Sequence, residues 1–339
     1  MALFDKLLIP TDFSESADKA CVFAGKIASK SNAKSDLLHV IPEFIYNDNQ
    51  IRSKDADGNK FQDKLYPHLF NEAELGLKKK LYAYFPASFR GVSHIMVGRK
   101  PSRIIADHAW KGNYSLIVIS VRGKDQSEFY RGSTTEEVIR LSKVPVLRIY
   151  DDPLILENGR IVVPVDGSLL SMASIHAAAF IASIFNASIS LLYVKQTFGF
   201  LKPHNLAMNE LADEHKARRT LINQLKDFLN PEDTGNLTYH QADTGSANSS
   251  SEQLTLDLDG NLIPVSVDFR AGLSAHHEIT TYANRYAGLV VMSTHGRSGV
   301  RQLVMGSNAE KVALNAETSV LTIRPDSKLF TRQHKTTEQ

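Results

Sequence analysis

A single cysteine among 339 residues, Cys21, leaves no internal disulfide to form. Its place among Ala17, Ala20 and Ala24 on an expected helix reads as a packed thiol in a reducing compartment. No apolar run approaches the roughly 20 residues that a membrane-spanning helix needs. The opening MALFDKLLIPTDF turns acidic and polar before a signal-peptide core forms, so the expectation is a cytoplasmic chain without an export signal. Charge of one sign is also lacking: 39 lysines and arginines face 37 aspartates and glutamates, a net +2. That balance gives no electrostatic footprint for nucleic acid or an acidic membrane surface, and the basic run Lys78 to Lys80 reads as a solvated helix face. Missing too are the P-loop pattern G-x4-G-K-[ST], the G-x-S-x-G elbow and a cysteine paired with a base, so no enzyme is expected. His276-His277-Glu278 lacks a further ligand at metal spacing, and adjacent helical side chains point in different directions, so no metal site is expected.

What is there is ordinary globular composition, 42% apolar and 22% charged with 12 prolines, in a chain long enough for two domains. The chain repeats itself. DKLLIPTDFS (Asp5 to Ser14) aligns with GRIVVPVDGS (Gly159 to Ser168), setting Asp12 against Asp166 at an offset of 154. SLIVISVRG ending at Gly123 aligns with GLVVMSTHG ending at Gly296 at an offset of 173, and the following helix and strand align at 174. The growing offset puts about nineteen extra residues in the second copy.

In each copy short apolar runs alternate with helical patterns, which argues for parallel βαβ units and an α/β fold. Strands are expected near 6–10, 36–41, 92–97, 116–120 and 146–149, then near 161–165, 188–194, 265–269, 289–293 and 320–323. The clearest helical patterns run near 16–29 and 70–84, then 171–185, 208–229 and 274–286. This gives one domain at 1–150, a linker at 151–158, a second domain at 159–326 and a loose tail at 327–339. The extra residues fall at about 243–264. There DTGSANSSS reads as a polar loop, and Leu254, Leu256 and Leu258 alternate toward Asp259-Gly260-Asn261 as a β-hairpin, taken as a surface ornament.

The densest chemistry follows Leu289 to Met292, an apolar run suited to a strand buried on both faces. Small and polar residues crowd beyond its end, and Gly306-Ser307 opens a helix with Ser307 or Asn308 as N-cap and Glu310 in the first turn. A glycine loop at a helix start is an anion site. Asp166 sits at the tip of the first strand of its copy, where a carboxylate accepts hydrogen bonds from ribose hydroxyls or an adenine amine, or else makes an ordinary turn.

At these residues the chain resembles the universal stress protein family, whose nucleotide-binding branch carries G-x2-G-x9-G-[ST]. Ser293-x2-Gly296-x9-Gly306-Ser307 keeps the spacing, with serine in place of the first glycine. The resemblance covers about residues 3–150 and 159–325, and implies two tandem, doubly wound, parallel five-stranded sheets of Rossmann-like, adenine nucleotide alpha hydrolase-like type. It implies ATP or a related adenine nucleotide, with Mg2+ as companion, held by Asp166, Val194, Met292, Ser293, Gly296, Gly306, Ser307, Asn308 and Ala309. The implied role is a stress-response sensor or regulator; a ligand-free interaction scaffold and a weak adenine-nucleotide hydrolase are the alternatives. In the first copy Asp12, Gly123, Gly132 and Ser133 correspond. However, only eight residues, KDQSEFYR, separate the two glycines, and they bring two carboxylates, so that copy is expected to be a degenerate half. Each copy ends in a strand with neither an interior proline nor a blunting lysine. Members of the family pair through this strand, so the expectation is an intramolecular pseudo-dimer through 146–149 and 320–323, antiparallel, with room for a further homodimer and no nucleic-acid or membrane partner.

Overall fold

The computed structural model describes residues 3–43, 58–121, 133–150, 152–197, 207–229, 237–242, 253–294 and 305–324. The chain divides into two compact units, Met1–Val146 and Leu147–Gln339.

The first unit runs β1 (Lys6–Pro10), α1 (Glu15–Ser31), β2 (Lys34–Pro42), α2 (Gly58–Tyr84), β3 (Arg90–Gly98), α3 (Pro101–Lys111), β4 (Leu116–Ser120) and α4 (Ser133–Leu141); β5 (Val146–Ile149) starts at its last residue and belongs otherwise to the second unit. Strand order within the unit is β3-β2-β1-β4, and the β1–β2, β1–β4 and β2–β3 pairs are parallel. Leu7, Leu8, Ile9, Leu116, Ile117 and Val118 have no exposed surface. A central strand buried on both faces can be apolar throughout, and each such side chain contributes about 1.5–3 kcal/mol. Helix α1 starts at Ser14, whose side chain accepts from Ala17 N–H, and ends at Asn32 in the left-handed conformation. Its inward face carries Cys21, whose thiol burial pushes up to about 12; Lys80 pulls it the other way. Such a thiol is an inert core group, as the sequence suggests. Helix α2 begins at Gly58 rather than near Phe70 and contains Pro67.

The second unit continues through a short 3-10 turn at Pro153–Leu156 into β6 (Arg160–Val165), α5 (Leu169–Phe185), β7 (Ser188–Gln196), α6 (Ala207–Phe228), β8 (Leu237–Ala242), β9 (Gln253–Leu258), β10 (Asn261–Gly272), α7 (Ala275–Tyr286), β11 (Leu289–Ser293), α8 (Ser307–Asn315) and β12 (Ser319–Ile323). Its order β12-β11-β6-β7-β10-β9-β8 makes the sheet mixed. The β11–β12, β6–β11, β6–β7 and β7–β10 pairs are parallel, while β9 is antiparallel to both β10 and β8. The five parallel strands are those expected from the sequence, and the inserted hairpin makes the sheet mixed but mostly parallel. The inserted residues add a meander, and β8 has no counterpart in the strands read from sequence.

The meander is built by local chemistry. Asp259 and Gly260 both have positive φ, 52° and 81°, as a two-residue primed turn requires. Gly260 N–H donates to Asp257 Oδ1 at 2.7 Å. Ile263, Val265 and Val267 of β10 face inward while Leu262 stands out. Helix α5, almost wholly apolar, packs on β6, β7 and β11 and also on β9 and β10, which is why it is buried nearly all round. Within this unit Arg148 is buried and donates to the carbonyls of Ala316 and Thr318, the latter at 2.8 Å.

Candidate functional site

In the second unit β6 has β11 on one side and β7 on the other, so the strand order reverses there and opens a crevice at the strands' carboxyl ends. A cleft of about 260 Å³ occupies that crevice. The sequence-predicted residues Asp166, Val194, Met292, Ser293, Gly306, Ser307, Asn308 and Ala309 all line it. Gly296 lies outside the described residues. Among the other wall residues, Leu192, Ser171, Ala275 and Ile279 escape a sequence reading, since apolar residues and a helix serine carry no signal of their own. No residue of β8 or β9 lines the cleft; the meander lengthens the sheet edge instead.

The strand tip is organised by Asp166. Its Oδ1 accepts from Ser168 N–H at 3.0 Å and from Ser168 Oγ at 2.6 Å, closing a tight turn in which Gly167 adopts φ 82°. Ser168 in turn caps α5 by accepting from Ser171 N–H at 3.2 Å, and Ser171 Oγ accepts from Asp166 N–H at 3.3 Å. The turn and ligand readings of Asp166 are thus compatible: Oδ1 serves the turn while the residue faces the cleft.

Across the cleft the helix start differs from the sequence expectation. The N-cap of α8 is Gly306 (φ −61°, ψ 139°), so Ser307 and Asn308 are the first helical residues rather than caps. A glycine cap offers no side chain to the first-turn N–H groups. Gly306 N–H donates to Thr294 O at 2.7 Å, which pins the helix start to the end of β11. The first-turn N–H groups and the positive end of the helix dipole are arranged to receive an anion, and Glu310 sits farther along that turn.

The first unit carries a cleft of the same build, about 280 Å³, at the ends of β1, β2 and β4. Asp12, Ser120, Thr134 and Thr135 line it at the positions of Asp166, Ser293, Asn308 and Ala309. Asp12 Oδ1 accepts from Ser14 N–H at 3.1 Å, the same turn as at Asp166, but Phe13 occupies the left-handed position held by Gly167 (φ 65° against 82°). Its ring rests 4.5 Å from that of His39, which lines the cleft with Nδ1 2.8 Å from Thr11 O. Thr135 Oγ1 donates to Ser120 O at 2.9 Å. Gly123 and Gly132 lie outside the described residues, and Ser133 is the first residue of α4.

Comparison with known proteins decides the family. The universal stress protein family model matches twice, at residues 3–149 and 157–324. The chain belongs to the universal stress protein family. Universal stress protein YxiE of Bacillus subtilis is 30% identical over 148 residues, 43% of this chain and 98% of its own length. Universal stress protein MJ0577 of Methanocaldococcus jannaschii is 30% identical over 157 residues, 43% of this chain and 94% of its own. A solved universal stress protein from Archaeoglobus fulgidus covers 94% of this chain and 98% of its own at TM-score 0.55 and 18% identity, a likeness of fold. The relatives YxiE and MJ0577 thus correspond to about half of this tandem universal stress protein.

Proposed function

We propose that the second unit binds ATP or a related adenine nucleotide, and that this universal stress protein acts through that binding as a sensor or regulator of the stress response. The observation that carries the reading is the convergence of Asp166, Ser293 and Gly306 on one cleft at the point where strand order reverses. Asp166 would take the ribose and adenine end, and the glycine-capped start of α8 the phosphates, with Mg2+ accompanying them. The residues fit such a ligand: the cleft is apolar at Val194 and Met292, where a base would lie, and small at Gly306 and Ala309, where phosphate would approach backbone. Binding, not turnover, is the proposed activity, and the cytoplasm its proposed place. Among the described residues no helix is long and apolar enough to cross a membrane.

Calorimetric titration with ATP is expected to give a stoichiometry near one per chain, assigned to the second unit. A value near two would transfer the role to both clefts, and no heat together with no co-purified nucleotide in native mass spectrometry would favour a ligand-free scaffold. Point variants locate the site. Gly306→Val is expected to weaken ATP binding at least tenfold, equivalent to about 1.4 kcal/mol, while α8 persists. Its backbone at φ −61° and ψ 139° is open to any residue, so no backbone strain is added. Asp166→Ala is expected to cost about 1–3 kcal/mol of binding and also to loosen the Ser168 turn. Asp166→Asn keeps an Oδ1 acceptor for that turn, so comparing the two variants by thermal melting and calorimetry separates fold from ligand.

A further inference from the structure

At the end of the first sheet away from its cleft, five ionisable side chains meet, none of them used by the proposed nucleotide site. Asp36 of β2 is buried at a bulge, where the β2–β3 register slips between Ser35 and Leu37. Its Oδ1 accepts Val92 N–H at 2.7 Å, replacing a ladder bond that the slip removes. Its Oδ2 accepts the Tyr114 hydroxyl at 2.6 Å and faces Lys6 Nζ of β1 at 3.7 Å and His94 Nε2 of β3 at 3.5 Å. The Tyr114 oxygen also lies 3.1 Å from His94 Nε2 and 3.4 Å from Nε2 of His108 on α3. The two imidazoles meet edge-on with centroids 4.5 Å apart, and Lys6 Nζ lies 4.2 Å from the Tyr114 ring centroid. The tyrosine oxygen fills the middle of the group, and among the described residues no set of side chains is placed to hold a metal.

The second unit supplies the comparison. By place in the fold Lys6 of β1, Asp36 of β2, His94 of β3 and His108 of α3 correspond to Arg160 of β6, Ser190 of β7, Asp268 of β10 and Tyr282 of α7. These also touch: Ser190 Oγ donates to Asp268 Oδ2 at 2.7 Å and lies 3.4 Å from the Tyr282 hydroxyl, to which Arg160 Nη1 donates at 3.4 Å. One cation, one carboxylate and one tyrosine hydroxyl therefore come together in both units. The pair of histidines is what the first unit adds.

We propose that the Asp36 cluster is an acid-operated latch: with both histidines neutral it ties β3 and α3 to β2, and when both carry protons it releases them. With neutral imidazoles one carboxylate balances one ammonium. A first proton on either ring can still face Asp36, but a second places three cations around a single carboxylate. Burial, then His94 and Lys6, hold His108 below the ordinary histidine range, with Asp36 opposing them. Burial and the hydrogen bond to Asp36 raise Tyr114, which stays a donor throughout. A histidine depressed on folding stabilises the fold fully above its unfolded value near pH 6.5, and that contribution is lost as pH falls through the folded value.

The single tryptophan of the chain, Trp110, lies on α3 two residues from His108, so its fluorescence reports the first unit alone. Denaturant unfolding of the full chain followed at Trp110 is expected to show a clearly lower midpoint at about pH 5 than at about pH 7.5. In the double variant His94→Gln, His108→Gln that drop should shrink to less than half. Equal drops in the two proteins overturn the latch. Hydrogen exchange of the unmodified protein over the same pH interval, corrected for intrinsic rates, is the second reading. Amides of Val92, His94 and Met96 should lose protection at least tenfold more than those of Val267 and Phe269 in the histidine-free counterpart. Equal loss in the two strands, or none, overturns the proposal whether or not the variant folds.

Discussion

Exchange of Arg148 for methionine is expected to lower the unfolding free energy of the second unit by about 3–5 kcal/mol. Arg148 is 4% exposed, and its guanidinium donates to the carbonyls of Ala316 and Thr318, the two residues that frame the turn from α8 into β12. Ala316 is the C-cap of α8, so its carbonyl is among those a helix end leaves without an intrahelical donor. Thr318 spends its own hydroxyl on Ala287 O at 3.0 Å, which ties the same turn to the end of α7. Removing the guanidinium withdraws charge-assisted donors from two carbonyls inside the protein, at about 1–3 kcal/mol each. Methionine approximates the volume and adapts to the space, so the loss reads as polar rather than as a cavity. Arg148→Lys should fall between, because an ammonium keeps the charge but not the planar fork. Urea unfolding monitored by far-ultraviolet circular dichroism gives the measurement: a lower midpoint at unchanged slope is the expected form. A loss under about 1 kcal/mol would mean that other donors serve both carbonyls.

The elements that were legible in the sequence are those whose signal is local. The strand tips PTDFS and PVDGS announce themselves because proline, aspartate and a small or left-handed residue must follow one another to make the turn; Asp12 and Asp166 do make it, each accepting from the serine two residues on. The cleft residues of the second unit were legible because a loop-helix spacing repeats a family pattern, and Asp166, Val194, Met292 and Gly306 do share one cleft. What stayed hidden depends on neighbours far away in sequence. Pro67 marks a stop by its own chemistry, yet it lies within α2, which begins at Gly58. Strand β8 was missed because Leu237–Ala242 forms by pairing with β9 in a meander, and its register is set by that partner rather than by its own alternation. The first unit reads as a degenerate half from its shortened loop, which lies outside the described residues; among those that are described, Thr11, Asp12, His39 and Thr135 line its cleft. The Asp36 cluster draws on β1, β2, β3, α3 and the turn before β4, so no window of sequence contains it. It is the parallel pairing of β1, β2 and β3, with α3 packed beside them, that brings Lys6, Asp36, His94 and His108 into one set.

Gly91→Val is expected to destabilise the first unit by about 3–5 kcal/mol, and the reason runs through that same set. Gly91 and Val92 stand together against Asp36 at the β2–β3 bulge. A Cβ built on Gly91 would overlap Asp36 Oδ1 and come within 2.8 Å of the Ser35 carbonyl oxygen, so glycine is present to let one backbone approach a buried carboxylate. Any side chain there must push the carboxylate aside, breaking its bond from Val92 N–H and disturbing the one from Tyr114. Overpacking contributes about 1–3 kcal/mol, and loss of a charge-assisted hydrogen bond about 1.5–3 kcal/mol more. The contact with Asp36 can be isolated by a double-mutant cycle. In an Asp36→Ala background the obstacle at Oδ1 is gone while the Ser35 carbonyl remains, so Gly91→Ala should cost at least about 1 kcal/mol less than it does with Asp36 in place. Stability followed at Trp110 keeps the measurement on this unit. Equal costs in the two backgrounds would show that Gly91 is required by the Ser35 backbone alone, and that the carboxylate is free to move. A coupling of the expected sign would make the bulge, the glycine and the Asp36 cluster one structural device, in which the glycine opens the space and the carboxylate takes over the missing ladder bond.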